Sequence, residues 1–165
     1  MAKLDYNMIA IGAGSGGLVS TFIASAVKAK VALIEKNKMG GDCLNTGCVP
    51  SKALISSAKA VQMLKKHTLY GLKNVSYEVD FALTMERVQE IITKLEPHDS
   101  VARYSSLGVE CHIGKAMIRS PHEVEVNGQV LTTKNIVVAT GARPFVPPTP
   151  GLEDVQFSHS GNIWD

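Results

Sequence analysis

Aromatic residues make up 5% of the 165-residue chain, charged residues 19%, and cysteine occurs three times. A formal charge of +2 with scattered lysines provides no basic surface for nucleic acid or for an anionic membrane. Three cysteines are too few for a disulfide-stapled secreted scaffold, and an odd count leaves at least one outside any pairing. No tract is of low complexity and no segment repeats. No Cys-x-x-Cys and no His-x-x-x-His is present, so neither a four-ligand zinc site nor any other metal is expected. One long uncharged run, Met8 to Val27, could imitate a signal or membrane segment. It is interrupted by Gly12, Gly14, Gly16 and Gly17 and by Ser15, Ser20, Thr21 and Ser25, which weakens the apolar drive for insertion. What remains is the composition of a globular domain, 45% hydrophobic with 14 glycines, with the cytoplasm as default location.

The pattern along the chain alternates strand and helix. Tyr6 to Ile11 is a buried strand that ends at the glycine cluster. Gly14 to Val27 is a small-residue helix, and Lys30 to Ile34 a second buried strand ending at Glu35. From about Cys43 to His67 the apolar residues recur at helical steps. Asp80 is a plausible N-cap for a long helix that Pro97 should kink, with a restart at His98-Asp99-Ser100. Val109 to Ile118, Glu123 to Val126, Val130 to Thr132 and Asn135 to Ala139 read as four further strands, and Asn127-Gly128 as a hairpin turn. Past Arg143 the prolines at 144, 147, 148 and 150 mark a surface linker. This order predicts an α/β domain with a parallel sheet and an antiparallel β excursion.

Gly12-Ala13-Gly14-Ser15-Gly16-Gly17 satisfies G-x-G-x-x-G where a strand passes into a helix, the context in which that spacing has physical meaning. The first glycine permits the turn, the second lets the backbone approach a pyrophosphate, and the third allows close helix–strand packing. The helix N-terminus favours the negative charge. Glu35 follows at the end of the second strand, where a carboxylate can accept from ribose hydroxyls and would repel a 2′-phosphate. NAD and FAD both meet this requirement.

Cys43 and Cys48 stand five positions apart in GGDCLNTGCVPSK. A regular helix advances roughly 7.5 Å over five residues, whereas a disulfide needs Cα atoms within about 7 Å. The pair therefore cannot bridge inside an undistorted helix. Gly47 permits a departure from helical angles, and Pro50 fits a first turn. Both sulfurs are thus expected at an irregular helix start, where a thiolate is stabilised and its pKa falls. A flavin on the neighbouring fingerprint could mediate between hydride and thiols. Two unreactive thiols are the bland alternative. Cys111 and His112 are adjacent on a strand, so they point to opposite faces and chelate poorly.

The segment GGDCLNTGCVPSK resembles the redox-active segment of the class I pyridine nucleotide-disulfide oxidoreductases, the group of dihydrolipoamide dehydrogenase, mercuric reductase and glutathione reductase. The fingerprint, Glu35, the excursion after Val109 and Thr140-Gly141-Ala142-Arg143-Pro144 extend the likeness over essentially the whole chain. The resemblance implies a Rossmann-like FAD-binding domain. Gly12, Gly14 and Gly17 would contact the FAD pyrophosphate, Glu35 with Lys36 beside it the adenosine end, and Gly40, Gly41 and Asp42 the phosphates. Cys43 would be the thiol that meets substrate, Cys48 the one facing the flavin as charge-transfer donor, and Lys52 a cation near flavin N5. Ala116 would present backbone to the adenine, and Thr140 and Gly141 would close over the cofactor.

Two departures qualify the match. Asp42 puts a carboxylate where many relatives have threonine, and Ser51 replaces a lysine common in glutathione reductases, which disfavours glutathione. The segments VDFALTMERV and PHDSV look closest to the mercuric-reductase-like branch. By the same resemblance, residues 1–150 form an FAD-binding domain lacking its returning segment, and 151–165 a linker towards an NAD(P)-binding domain not in the chain. A dimerisation domain carrying a His-Glu pair would complete a homodimer. The chain alone is therefore not expected to turn over, and its five histidines are expected at the surface or on helix caps. The expected partners are NAD(P)H and a small-molecule disulfide or metal-ion substrate in the full-length enzyme, with no nucleic acid and no membrane. The rival expectation is a stand-alone dithiol or nucleotide-binding module.

Overall fold

The computed structural model describes residues 4–164; the first three residues of the expected 1–150 unit and Asp165 lie outside them. Strand β1 (Tyr6–Ile11), helix α1 (Ser15–Ala26) and strand β2 (Val31–Glu35) open the chain as a βαβ unit. Helices α2 (Gly41–Asn45), α3 (Cys48–Lys65), α4 (Phe81–Leu95) and α5 (Val101–Ser106) follow. Strands β3 (Val109–Ile113), β4 (Ala116–Ser120), β5 (Glu123–Val126) and β6 (Gln129–Val138) complete the sheet. The uncharged run Met8–Val27 is therefore a strand, a turn and a helix. No helix among the described residues is long and apolar enough to cross a membrane.

The six strands are ordered β3-β2-β1-β6-β5-β4. β1 lies parallel between β2 and β6, with β3 parallel outside β2, while β4, β5 and the start of β6 form an antiparallel meander. The expected single strand Val109 to Ile118 is instead two strands at opposite ends of this order, joined by Gly114 and Lys115. So short a join is feasible because the meander folds back over the parallel strands. Gly114 N–H donates to the Glu35 carbonyl at 2.8 Å, and the Asn127 side chain at the hairpin tip donates to the Ile113 carbonyl at 2.9 Å. Asn127 and Gly128 both adopt positive φ, the geometry a tight two-residue hairpin demands.

A second difference has the same origin. Val130–Thr132 and Asn135–Ala139, expected as separate strands, fall on one ten-residue strand, β6, which ends at Val138, one residue short of the expected end. Its first half pairs with β5 and its second half with β1. The polar residues between them serve the bend: the buried Thr133 hydroxyl donates to the Asn135 carbonyl, and Asp5 grips Thr132 through its N–H at 2.9 Å and its hydroxyl at 2.7 Å.

Folding back gives the parallel strands two covered faces, and β2 is buried throughout. Ala32 and Ile34 pack with Ile9, Val124, Val126 and Leu131 under the meander. Val31 and Leu33 pack with Ala10, Leu18, Tyr104 and Val109 under α1 and α5. Asp80 caps α4, as expected, by accepting from the Leu83 N–H at 3.0 Å. Pro97 lies in a 3-10 turn, Glu96–Asp99, between α4 and α5, and Ser100 caps the restart. Arg87 of α4 donates to the Ala53 carbonyl at 3.0 Å and fixes α3 beside it. His112 departs from the surface positions expected of the histidines: its side chain is largely buried on β3, with Nε2 3.4 Å from Glu110. Cys111, on the other face, is half-buried against the helix-side core, and burial pushes its thiol up.

Candidate functional site

The carboxyl ends of β1, β2 and β6 open onto a cleft of about 1160 Å³. That exceeds the range of roughly 300–1,000 Å³ for pockets holding drug-sized ligands, and suits a dinucleotide. Its floor is the turn after β1. Gly12 there has φ +103°, a conformation that L side chains rarely adopt, and a Cβ would collide with the Ala139 carbonyl. The Gly12 N–H donates to the Ile34 carbonyl at 2.7 Å, and Ala139 N–H donates to Ile11 at 2.8 Å, so the three strand ends are tied together. Gly14 caps α1, and Gly14, Ser15 and Gly16 at its start border the cleft.

Glu35 is buried, and both carboxylate oxygens have partners. Oε2 accepts from the Ala13 N–H at 2.6 Å and Oε1 from the Asn37 N–H at 2.8 Å. The carboxylate thus sets the glycine turn and the loop of Lys36, Asn37 and Lys38 at once. A second loop docks on this turn: Gly40 N–H donates to the Ala13 carbonyl at 2.9 Å. Gly41 approaches so closely that a Cβ on it would lie 2.5 Å from the Gly14 Cα. The paired glycines before Asp42 are what that contact requires. A smaller cavity of about 170 Å³, bordered by Ile34, Gly114, Lys115 and Ala116, shares Gly12, Glu35, Lys36 and Thr140 with the main cleft.

Past Gly41 the chain makes the one-turn helix α2, breaks at Thr46 and Gly47, and restarts as α3 at Cys48. Gly47 adopts φ −119° and ψ −106°, outside the helical region, as expected for this segment. Cys43 lies before the break and Cys48 after it, and both carry free thiols. Cys43 lines the cleft and is half-buried, while Cys48 is exposed. The Cys43 thiol is pushed up, first by its hydrogen bond with Cys48, then by burial and by the charge Cys48 would carry. The charge of Asp99 adds to this, and Lys52 opposes it. That reverses the expected lowering at a helix start. Cys43 belongs to α2 and not to the N-terminus of α3, and the largest influence on it is another thiol. Among the described residues no group of three or more His, Cys, Asp or Glu forms a metal site.

The sequence matches, over residues 6–162, the family described as pyridine nucleotide-disulphide oxidoreductase. The chain belongs to that family. Three curated relatives carry the same extent of likeness. Over 159 residues it is 34% identical to mercuric reductase of Bacillus cereus, covering 96% of this chain and 25% of the relative. Over 153 residues it is 39% identical to dihydrolipoyl dehydrogenase of Acholeplasma laidlawii, covering 91% and 45%. Over 155 residues it is 34% identical to glutathione reductase of Burkholderia cepacia, covering 92% and 33%. The chain therefore spans between a quarter and somewhat under half the length of these relatives.

Within this oxidoreductase fold, Gly12, Gly14, Glu35, Lys36, Gly41, Asp42, Cys43, Thr140 and Gly141 all border the main cleft. Ala116 borders the smaller cavity joined to it. Gly17, Gly40, Cys48 and Lys52 are not on its wall. Gly17 faces the Gly12 carbonyl, Gly40 is buried behind the turn, and Lys52 is exposed one helical turn beyond Cys48. The cleft also includes Asn37, Lys38, Asn45, Thr46 and Arg143, which motif reading does not pick out. Lys36, Lys38 and Arg143 give it three cations, a signal readable as basic residues in the loops that follow β2 and β6. The segment after Arg143 is mostly exposed, yet it returns to the site: the Trp164 indole donates to the Thr46 carbonyl at 2.7 Å.

Proposed function

We propose that this chain supplies the FAD-binding and dithiol part of an NAD(P)H-dependent oxidoreductase whose substrate is a small-molecule disulfide or a metal ion. The observation that carries this reading is that Cys43 borders the same cleft as the glycine turn. A nucleotide seated on the turn would therefore reach Cys43, the member of the pair on the cleft wall. The cleft fits the dinucleotide: its glycines leave no side chain where phosphates would lie, and Lys36, Lys38 and Arg143 balance their charge. The N-terminus of α1 adds to this. Each Glu35 oxygen has a second acceptor position free for an adenosine ribose hydroxyl. The smaller cavity at Ala116 would take the adenine. Asp42 is the one acidic group in the phosphate region, beside the Thr46 hydroxyl at 3.5 Å.

Bound FAD would supply hydride acceptance from a nicotinamide and electron transfer to sulfur. This chain's own part is to hold two thiols that, joined as Cys43–Cys48, take up two electrons and two protons and return them to substrate. Cys43 would meet the substrate, Cys48 would face the flavin, and Lys52 would supply positive charge beside them. Residues 1–150 are assigned to the nucleotide-binding unit and 151–165 to a linker. The NAD(P)-binding and dimerisation parts of a cytoplasmic homodimer are assigned to sequence outside this chain.

The test is direct. Purified chain titrated with FAD is expected to acquire a resolved flavin band and quench flavin fluorescence. Dithiothreitol followed by mild oxidant should interconvert Cys43 and Cys48 between thiols and disulfide by peptide mass mapping. Failure to retain FAD at any concentration, with the disulfide still forming, would replace this reading by a stand-alone dithiol module.

A further inference from the structure

The break between α2 and α3 leaves one backbone group with an unusual need. In a continuing helix the Thr46 carbonyl would accept from the N–H of residue 50, but residue 50 is proline and has none. Its partner comes instead from 118 positions away, where the Trp164 indole N–H donates to it at 2.7 Å. The same indole reaches the Ser160 carbonyl at 2.9 Å, which folds its own segment into a compact turn. The Trp164 carbonyl accepts from the Gln89 side chain at 3.0 Å, so α4 anchors the other end. Thr46 lies between the two cysteines in the chain, and its N–H donates to the Asp42 carbonyl at 2.9 Å. The two peptide groups on either side of the Thr46 Cα, in the stretch that turns the chain from one sulfur to the other, are thus both held.

We propose that Trp164 is a positioning residue for the cysteine pair, acting through the Thr46 carbonyl to hold the bend in which Cys43 and Cys48 face one another. This rests on the dithiol reading above. Joining the sulfurs removes two electrons and two protons from the pair, taken up by an external disulfide such as oxidised glutathione, which becomes two thiols. A bend already held on one side loses less freedom when the bond forms, so the clamp raises the equilibrium constant for the intramolecular disulfide.

Trp164→Phe keeps the ring and removes the donor. The chain and its variant are equilibrated with reduced and oxidised glutathione, trapped by acid and alkylation, and mapped for the Cys43–Cys48 bond. The variant is expected to lower the equilibrium constant roughly threefold to tenfold, the range that one net N–H···O bond supplies. The upper end is a shift of about 30 mV. A constant within twofold of wild type overturns the proposal, even if the melting temperature falls, since a purely structural tryptophan would move only the latter. A wild-type pair that forms no disulfide in any buffer removes the dithiol reading and this proposal with it. Should the variant not fold, the sole tryptophan of the wild type gives the answer. Its emission is expected to change with the same midpoint as the disulfide, and emission indifferent to that transition overturns the clamp.

Discussion

Gly17→Ala and Gly16→Ala are neighbouring substitutions in the first turn of α1, identical in chemistry, for which the structure demands opposite outcomes. Alanine is the better helix former by about 1 kcal/mol in a helix interior, so propensity alone would favour both. At Gly16 a Cβ would meet only the Ala139 Cβ, at 3.4 Å, an ordinary contact. At Gly17 it would run into the Gly12 carbonyl, with the carbonyl carbon at 2.9 Å and Leu33 Cδ1 at 3.4 Å. The Gly12 backbone cannot retreat: its N–H is bound to Ile34, and the Ala139 carbonyl lies close by on the other side. Overpacking against fixed backbone costs about 1–3 kcal/mol or more, which outweighs the propensity gain. A contact this short belongs at the upper end of that range, and with the propensity gain subtracted the net loss of about 2 kcal/mol lowers the melting temperature of a chain this size by roughly 4–8 °C. Gly16→Ala should keep or raise the melting temperature, by up to roughly 4 °C for a gain of about 1 kcal/mol. Thermal and urea unfolding followed by circular dichroism read both variants. A Gly17→Ala chain as stable as wild type would refute the packing argument, and with it the idea that the third glycine exists to let helix and turn touch.

The Cys43 thiol offers a chemical test with a defined sign. Cys48→Ala removes the largest cause holding that thiol up, so its titration should move down, with more thiolate at pH 8 and faster alkylation by iodoacetamide. Lys52→Gln should slow the reaction, because Lys52 is the group that opposes the rise. Rate-versus-pH curves for labelling at Cys43 decide both. At Glu35, glutamine can accept from only one of the Ala13 and Asn37 N–H groups and confronts the other with a donor. Glu35→Gln should therefore cost about 1–3 kcal/mol in urea unfolding. It should also weaken FAD retention by about tenfold, as a loss of roughly 1.4 kcal/mol implies.

What the sequence makes legible is what neighbouring residues decide. The glycine turn, Glu35 at the end of β2, the Asp80 cap and the Asn127-Gly128 turn all depend on positions within a few residues of each other. The helix break at Gly47 is readable for the same reason, through the reach of two sulfurs. The differences come from the folded-back meander. Val109 to Ile118 looks continuous because its apolar pattern runs on past Gly114, and only the parallel pairing of β2 with β3 shows that the strand must end there. β6 looks like two strands because Thr133 and Lys134 interrupt its apolar pattern where it passes from one set of partners to another. The direction of the Cys43 shift escapes the sequence because the residue sits in the turn before the helix end that would have lowered it. The contact of Trp164 with Thr46 has no local signature at all.

The placement of β1 between β2 and β6 has a consequence for how the molecule assembles. Tyr6 is in register with Thr133, so the central strand of the sheet is made early in synthesis but gains its second neighbour only after β6 has followed. Until then Ile9 and Ile34 have no Val124, Val126 or Leu131 to cover them. Partners so distant along the polypeptide make for slow folding, on the order of milliseconds to seconds. A nascent chain halted before β6 would carry an uncovered, adhesive ribbon, the kind of transient apolar surface that chaperones exist to shield.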